Sequence, residues 1–206
     1  MAVVAFALEL ISMAAVKEPT YSVIQRDGAF ELREYGPRVV AETRVDLDWD
    51  DAGSEGFRRL AGYIFGKNKG RAKIAMTAPV GQRTAPAGGA KIAMTAPVAQ
   101  RRAGSAWTVA FTMPEGETLG TLPEPEDSRV VLRALPKVRV AVVRFRGRWT
   151  AENMNERTEA LRAWAAVRGV AVSGDAEVNR YDPPWIPWFL RRNEIWLTAE
   201  SGAPQP

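Results

Sequence analysis

No histidine and no cysteine occurs anywhere in the 206 residues. Without cysteine there is no disulfide framework, no thiolate zinc site and no thiol nucleophile. Without histidine, serine triads, histidine zinc sites and haem held by a proximal histidine are impossible. Any chemistry falls to carboxylates, Lys, Arg, Tyr or Met. One-sided charge is also scarce: 28 basic residues against 24 acidic ones leave +4, and the basic ones are scattered along the chain. Such a balance favours an anionic ligand and, lacking a concentrated basic face, points away from nucleic acid.

Long apolar runs are missing too. Residues 1–16 are apolar apart from Glu9 and Ser12, shorter than the ~20 residues of a comfortable membrane span. No basic region precedes Lys17, as a secretory leader requires. The expected location is the cytoplasm. The alternative is export or anchoring through residues 1–16, and membrane association is expected only in that case.

What is present suits a globular protein. With 46% hydrophobic and 25% charged residues, the chain can bury a substantial core and has no long featureless polar stretch. One domain is expected over 18–199, between an N-terminal apolar segment at 1–17 and a tail at 200–206.

Strands are expected at Tyr21 to Gln25, Phe30 to Tyr35 and Arg38 to Val45, separated by the turn pairs Asp27-Gly28 and Gly36-Pro37. In the third, Val39, Ala41, Thr43 and Val45 alternate with Val40, Glu42 and Arg44, the period of a half-buried strand. Phe57, Leu60, Ala61 and Ile64 then fall at i, i+3, i+4 and i+7, so a helix is expected over Ser54 to Phe65, with Ser54 as N-cap and Gly66 closing it. Further strands are expected at Lys73 to Val80, Lys91 to Gln100 and Trp107 to Met113, then a linker over Pro114 to Asp127. Arg129 to Leu135 and Val138 to Phe145 read as strands and Ala151 to Arg168 as a second helix, with Met154, Leu161, Trp164, Ala165 and Arg168 on its inner stripe. Strands at Glu177 to Tyr181 and Glu194 to Thr198 complete the series. Each half is strands, helix, strands, which predicts an α+β, pseudo-two-fold, distorted antiparallel β-barrel with two flanking helices.

Three segments stand out. Lys73-Ile-Ala-Met-Thr-Ala-Pro-Val80 repeats exactly as Lys91-Ile-Ala-Met-Thr-Ala-Pro-Val98. As strands, these place Met76 and Met94 on equivalent faces, either in the core or as the soft wall of a ligand site. On the first helix, Gly62 lets a flat ligand approach the backbone, with Tyr63 beside it, while Arg58, Arg59 and Lys67 can meet carboxylates; the alternative is an ordinary solvated helix face. Finally, Arg180-Tyr-Asp-Pro-Pro-Trp-Ile-Pro-Trp-Phe-Leu-Arg-Arg-Asn-Glu-Ile195 holds three prolines. Its Trp185, Trp188 and Phe189 either pack under their own loop or meet a protein partner.

Taken together, EGFRRLAGYIFGKN, the KIAMTAPV segments, the W-x-V-x-F-x-MP stretch at Trp107 to Pro114 and RYDPPWIPWFLRRNE resemble the SOUL haem-binding family over roughly residues 18 to 199. The resemblance implies a distorted barrel flanked by two helices, similar to the ligand-binding domains of multidrug-sensing regulators. It also implies binding of haem or free porphyrins in an apolar groove beside the first helix. Carried onto this chain, that groove involves Arg58, Arg59, Tyr63 and Lys67, with Met76 or Met94 behind. No histidine can hold iron here, so axial candidates are Tyr63, Met76, Met94 and Lys67, or haem is held by apolar and propionate contacts alone. Two other classes stay open: an enzyme using a cavity carboxylate or tyrosine, which a buried Glu34, Glu42 or Glu194 with a raised pKa supports, and an interaction or small-molecule-sensing module built on the aromatic loop.

Overall fold

Turn chemistry and period-2 alternation set the first hairpin. The computed structural model describes residues 17–70, 92–182 and 185–200. In it β1 (Tyr21–Asp27) pairs antiparallel with β2 (Phe30–Tyr35). Gly28 between them sits at φ 56°, a conformation that glycine adopts without the Cβ penalty. Next come β3 (Arg38–Val45), helix α1 (Trp49–Ile64), β4 (Asn68–Lys69), β5 (Val98–Ala103), β6 (Ala106–Thr112) and β7 (Glu124–Pro125). The second half holds β8 (Val130–Leu135), β9 (Val138–Arg146), helix α2 (Ala151–Val167), β10 (Val172–Arg180) and β11 (Arg192–Ala199).

The fold is α+β: nine strands form one antiparallel sheet in the order β1-β2-β9-β11-β10-β5-β6-β3-β8, and β4 pairs with β7 apart from it. Exchanging β2 with β8, β3 with β9, β5 with β10 and β6 with β11 turns the order of those eight strands into its own reverse. The registers follow the same exchange. Val40 of β3 lies opposite Arg133 and Thr112, and Val140 of β9 lies opposite Arg33 and Thr198.

Alternation assigns the faces. On one face Val39, Ala41, Val109 and Phe111 pack against Leu60, Tyr63 and Ile64 of α1, while Ala141, Val143, Ile195 and Leu197 pack against Leu161, Trp164 and Ala165 of α2. On the other, Tyr35, Val140, Val142 and Trp196 form a separate buried cluster that includes neither α1 nor α2 residues. Curling of the sheet lets that face be buried, since Leu135 of β8 and Val140 of β9, far apart in strand order, line one cavity. The short links 36–37 and 136–137 tie the halves across this curl. Among the described residues the ladders do not close into the expected barrel: β1 occupies the outer edge of β2, so β8 has no strand to pair with on its free side.

Several element boundaries differ from expectation: β10 begins at Val172 instead of Glu177, and β7 lies within the expected linker. Helix α1 begins five residues earlier, after Asp48, and Ser54 lies inside it with its hydroxyl donating to the Asp50 carbonyl at 3.0 Å. Residues 92–97 of the second KIAMTAPV copy are not a strand; Ile92 donates to the Ile64 carbonyl at 2.8 Å and Thr95 makes a lone bridge to Lys17. The first copy, with Met76, lies outside the described residues. Among the described residues no helix is long and apolar enough to cross a membrane.

Candidate functional site

Helix α1 approaches its sheet through small residues. Ala52, Gly53, Gly56, Leu60, Ala61, Tyr63 and Ile64 are its buried positions, and a Cβ on Gly56 would lie 2.5 Å from the Val109 side chain. Phe57 is 42% and Phe65 59% exposed, the Phe57 ring also meeting Phe111 of the core edge-on at 5.5 Å. At 100° per residue, Phe57, Ala61, Phe65, Arg58 and Gly62 cover one continuous strip of about 140° of the helix surface. On this strip buried Ala61 and half-buried Gly62 lie near the two phenylalanines, with a cation alongside.

Three of the expected site residues meet on this strip. Arg58 pairs with Glu55 through a guanidinium left largely in solvent. Lys67 is exposed and lays its stem over Gly62, where a Cβ would meet Lys67 Cδ at 3.2 Å. The others do not join it. Arg59 turns toward β3, donating to Glu55 at 2.7 Å, to Thr43 Oγ1 at 3.3 Å and to the Arg44 carbonyl at 3.1 Å. Tyr63 is a core residue, its hydroxyl donating to the Pro123 carbonyl at 2.9 Å, so it faces away from the strip. Met94 is half-buried against the same core cluster. Phe57 belonged by spacing to the buried stripe and Phe65 drew no notice as a surface residue. The glycine pair 53 and 56 marks the side on which the helix approaches the sheet most closely.

The strongest electrostatic arrangement lies elsewhere. Glu194 is fully buried on β11 and accepts from Arg33 Nη1 at 2.8 Å and Nη2 at 3.1 Å, from the Tyr181 hydroxyl at 2.7 Å and from Trp196 Nε1 at 2.9 Å. Arg144 and Arg192 add bonds at 3.2 and 3.1 Å. Burial pushes its carboxyl up, but the Arg33 hydrogen bonds and charge outweigh that and hold it at about 2. Burial and the neighbouring Glu194 anion push the Tyr181 hydroxyl up, keeping it neutral. A carboxylate this firmly ionised is a poor proton donor or acceptor near neutrality. Glu34, paired with Lys137 and Arg139, is likewise lowered. Neither meets the condition of a buried carboxyl with a raised pKa.

In the aromatic loop, Trp185, Trp188 and Phe189 are each about half exposed. Trp188 meets Phe189 edge-on at 5.7 Å and has the Arg148 guanidinium 5.1 Å above its ring.

Comparison with known proteins adds the following. A family model described as SOUL heme-binding protein matches residues 16–198. Heme-binding protein 2 of Homo sapiens is 29% identical over 176 residues, 84% of this chain and 80% of its own length. Heme-binding protein 2 of Mus musculus is 30% identical over 197 residues, 95% and 88% of the two lengths. Among solved structures, a hydrolase from Listeria innocua superposes with a TM-score of 0.55 at 10% identity, covering 93% of this chain and 97% of that one. The EcmrR C-terminal domain superposes with a TM-score of 0.52 at 12% identity, covering 87% and 98%. At these identities the structural likenesses concern the fold alone.

Proposed function

Since the chain belongs to the SOUL heme-binding protein family, we propose that it binds haem or a free porphyrin, and that the ligand lies on the outer strip of α1. The observation that carries the location is the strip itself: Phe57 and Phe65, both partly exposed, near Gly62, with Arg58 and Lys67 at hand. A tetrapyrrole is a flat apolar plate edged by two propionates. Bare helix backbone at Gly62 accepts the plate at close range, the phenylalanines flank it, and the two cations pair with the carboxylates. The Lys67 stem over Gly62 is the far end of a flexible side chain and can swing aside.

These residues fit a porphyrin ring and its propionates. Bound iron would supply redox or gas-binding chemistry. The chain's own contribution is to hold the ring and neutralise its carboxylates, without a histidine on the metal. Tyr63 does not present its hydroxyl to the strip, so Lys67 is the remaining axial candidate there. Binding then rests on apolar and propionate contacts, which discriminate little between haem and metal-free porphyrin.

A haemin titration followed in the Soret band, with protoporphyrin IX in parallel, tests this reading. Saturation near one equivalent is expected for both, with the Arg58→Ala, Lys67→Ala pair weakening each by about threefold to tenfold, the size of two exposed ion pairs. Equal binding by that variant removes the site from α1, and no saturable binding of either removes the function. The exposed Trp185, Trp188 and Phe189 support a second reading of that loop as a protein-contact surface. Trp188→Ser therefore serves as the control that leaves the titration unchanged.

A further inference from the structure

On the sheet face opposite the helices, a cavity of about 330 Å³ opens inside the curl, lined by strands of both halves. One wall is apolar: Leu135, Val138, Val140 and Trp196. Arg38, Arg101 and Arg133 line it with the carboxylates of Asp175 and Glu177, whereas the Arg102 guanidinium lies over Trp107, which packs on Trp49 of α1 on the helix side of the sheet. Structure uses the three cavity arginines only in part. Arg38 Nη1 is buried without a hydrogen-bond partner among the described residues, its guanidinium 5.1 Å over the Tyr35 ring. Arg101 makes no ion pair among the described residues and stands opposite Glu177 in the β5–β10 ladder. Only Arg133 is paired, with Glu42 at 2.8 Å, and its side chain is still 45% exposed.

Burial lowers the pKa of Arg38, and the charge of Glu177 across the cavity offsets this only in part. The strand exchange shows what such an arginine looks like when it is structural. Arg33, the counterpart of Arg133, is sealed at 0% exposure and bonded to Glu31 and Glu194. The counterpart of Glu194 is Thr108, so the first half supplies no such anion at that position. Its arginines face the cavity instead.

We infer that this cavity is a second ligand site, one that takes a small planar carboxylate. The carboxylate meets Arg38 and Arg133, and the apolar body lies against Trp196, Val138 and Val140. Its volume is at the lower end of ordinary ligand pockets, roughly 300 to 1,000 Å³, which selects a ligand smaller than the tetrapyrrole assigned to α1. The guanidinium groups select a carboxylate over its neutral isostere, because a buried cation facing a neutral amide stays uncompensated.

Calorimetric titration of the full chain with 2-naphthoate, with 2-naphthamide as the neutral control, reads this directly. Saturable binding of one naphthoate is expected, with the amide at least tenfold weaker and Arg38→Gln or Arg133→Gln each weakening naphthoate at least tenfold. Far-UV circular dichroism monitors the fold, and if Arg38→Gln disturbs it, Arg101→Gln and Arg133→Gln carry the comparison. Equal affinity for amide and carboxylate overturns the site, as does undiminished binding by folded variants. Saturation with naphthoate leaves haemin affinity unchanged if the sites are separate, whereas competition overturns the second site. Failure of haemin to bind leaves the naphthoate result intact, so the two proposals fail separately.

Discussion

Arg33 and Arg133 occupy equivalent places in the two halves, each opposite a valine one hundred positions apart in sequence, and they have opposite fates. Arg33 is enclosed, forked onto Glu194 and backed by Tyr35 and Glu31. Arg133 lies half in solvent beside an open cavity. A duplicated frame can thus devote one copy of a position to holding itself together and leave the other free for recognition. Removing one partner of a buried pair strands the other charge, which costs about 3–5 kcal/mol, whereas exposed pairs contribute about 0–1 kcal/mol.

The largest expected effect follows from that difference. Glu194→Gln lowers stability by about 3–5 kcal/mol in urea unfolding, because Arg33 loses the anion it is forked onto and keeps Glu31 alone, while Tyr181 and Trp196 keep only a weaker acceptor. The wild-type pH profile reports the same group. The folded-state carboxyl titrates at about 2, below its ordinary 4.5. Its contribution is therefore complete above the unfolded-state value and is lost as pH falls from there toward about 2. In Glu194→Gln this part of the acid transition flattens. A variant as stable as wild type shows instead that the network is dispensable and the contrast between the halves is only geometric.

The two helices sharpen the comparison at a smaller scale. Helix α2 packs through Leu161, Trp164 and Ala165, with Trp164 stacked on Phe30 at 5.7 Å, while α1 packs through glycine and leaves two phenylalanines partly exposed. An exposed Gly→Ala in a helix stabilises by about 0.5–1 kcal/mol. At Gly56 the added methyl runs into the β-branched Val109 at 2.5 Å, and overpacking costs about 1–3 kcal/mol. Gly56→Ala is therefore expected to lower stability by about 1–2 kcal/mol in the same urea assay. A stabilised variant shows that α1 can stand off the sheet.

Much of the frame was legible because it is written locally. Strands β2 and β3 end where period-2 alternation and the Asp27-Gly28 and Gly36-Pro37 pairs place their ends. Helix α2 runs from the Thr150 cap, whose hydroxyl accepts from the Asn153 amide, to Gly169 at φ 67°. What escaped was set by tertiary approach. Periodicity counts large apolar residues as inward, so Phe57 was assigned to the core and Tyr63 to the ligand face, whereas a helix seated on Gly53 and Gly56 buries Tyr63 and leaves Phe57 partly exposed. The Arg33–Glu194 pair joins residues 161 positions apart, and no local spacing announces it. Arg58, Gly62 and Lys67 do come together as anticipated, because one helix and its first following turn carry all three.

The smallest expected effect is the one that decides the comparison. Arg133→Gln removes the counterpart of a buried structural cation, and if the halves were built alike it would cost as much as breaking Arg33 from Glu194. Its Glu42 partner is held at the surface, with the guanidinium 45% exposed. Screening by solvent then limits the loss to under about 1 kcal/mol in urea unfolding. A loss of several kcal/mol makes Arg133 part of the scaffold, and its presence in the cavity becomes incidental. A near-neutral change leaves an arginine that stabilises little and faces an open volume with Arg38 and Arg101. That is the state expected of a side chain held ready for a ligand, since recognition groups are free to pair with a guest only when folding has not already used them.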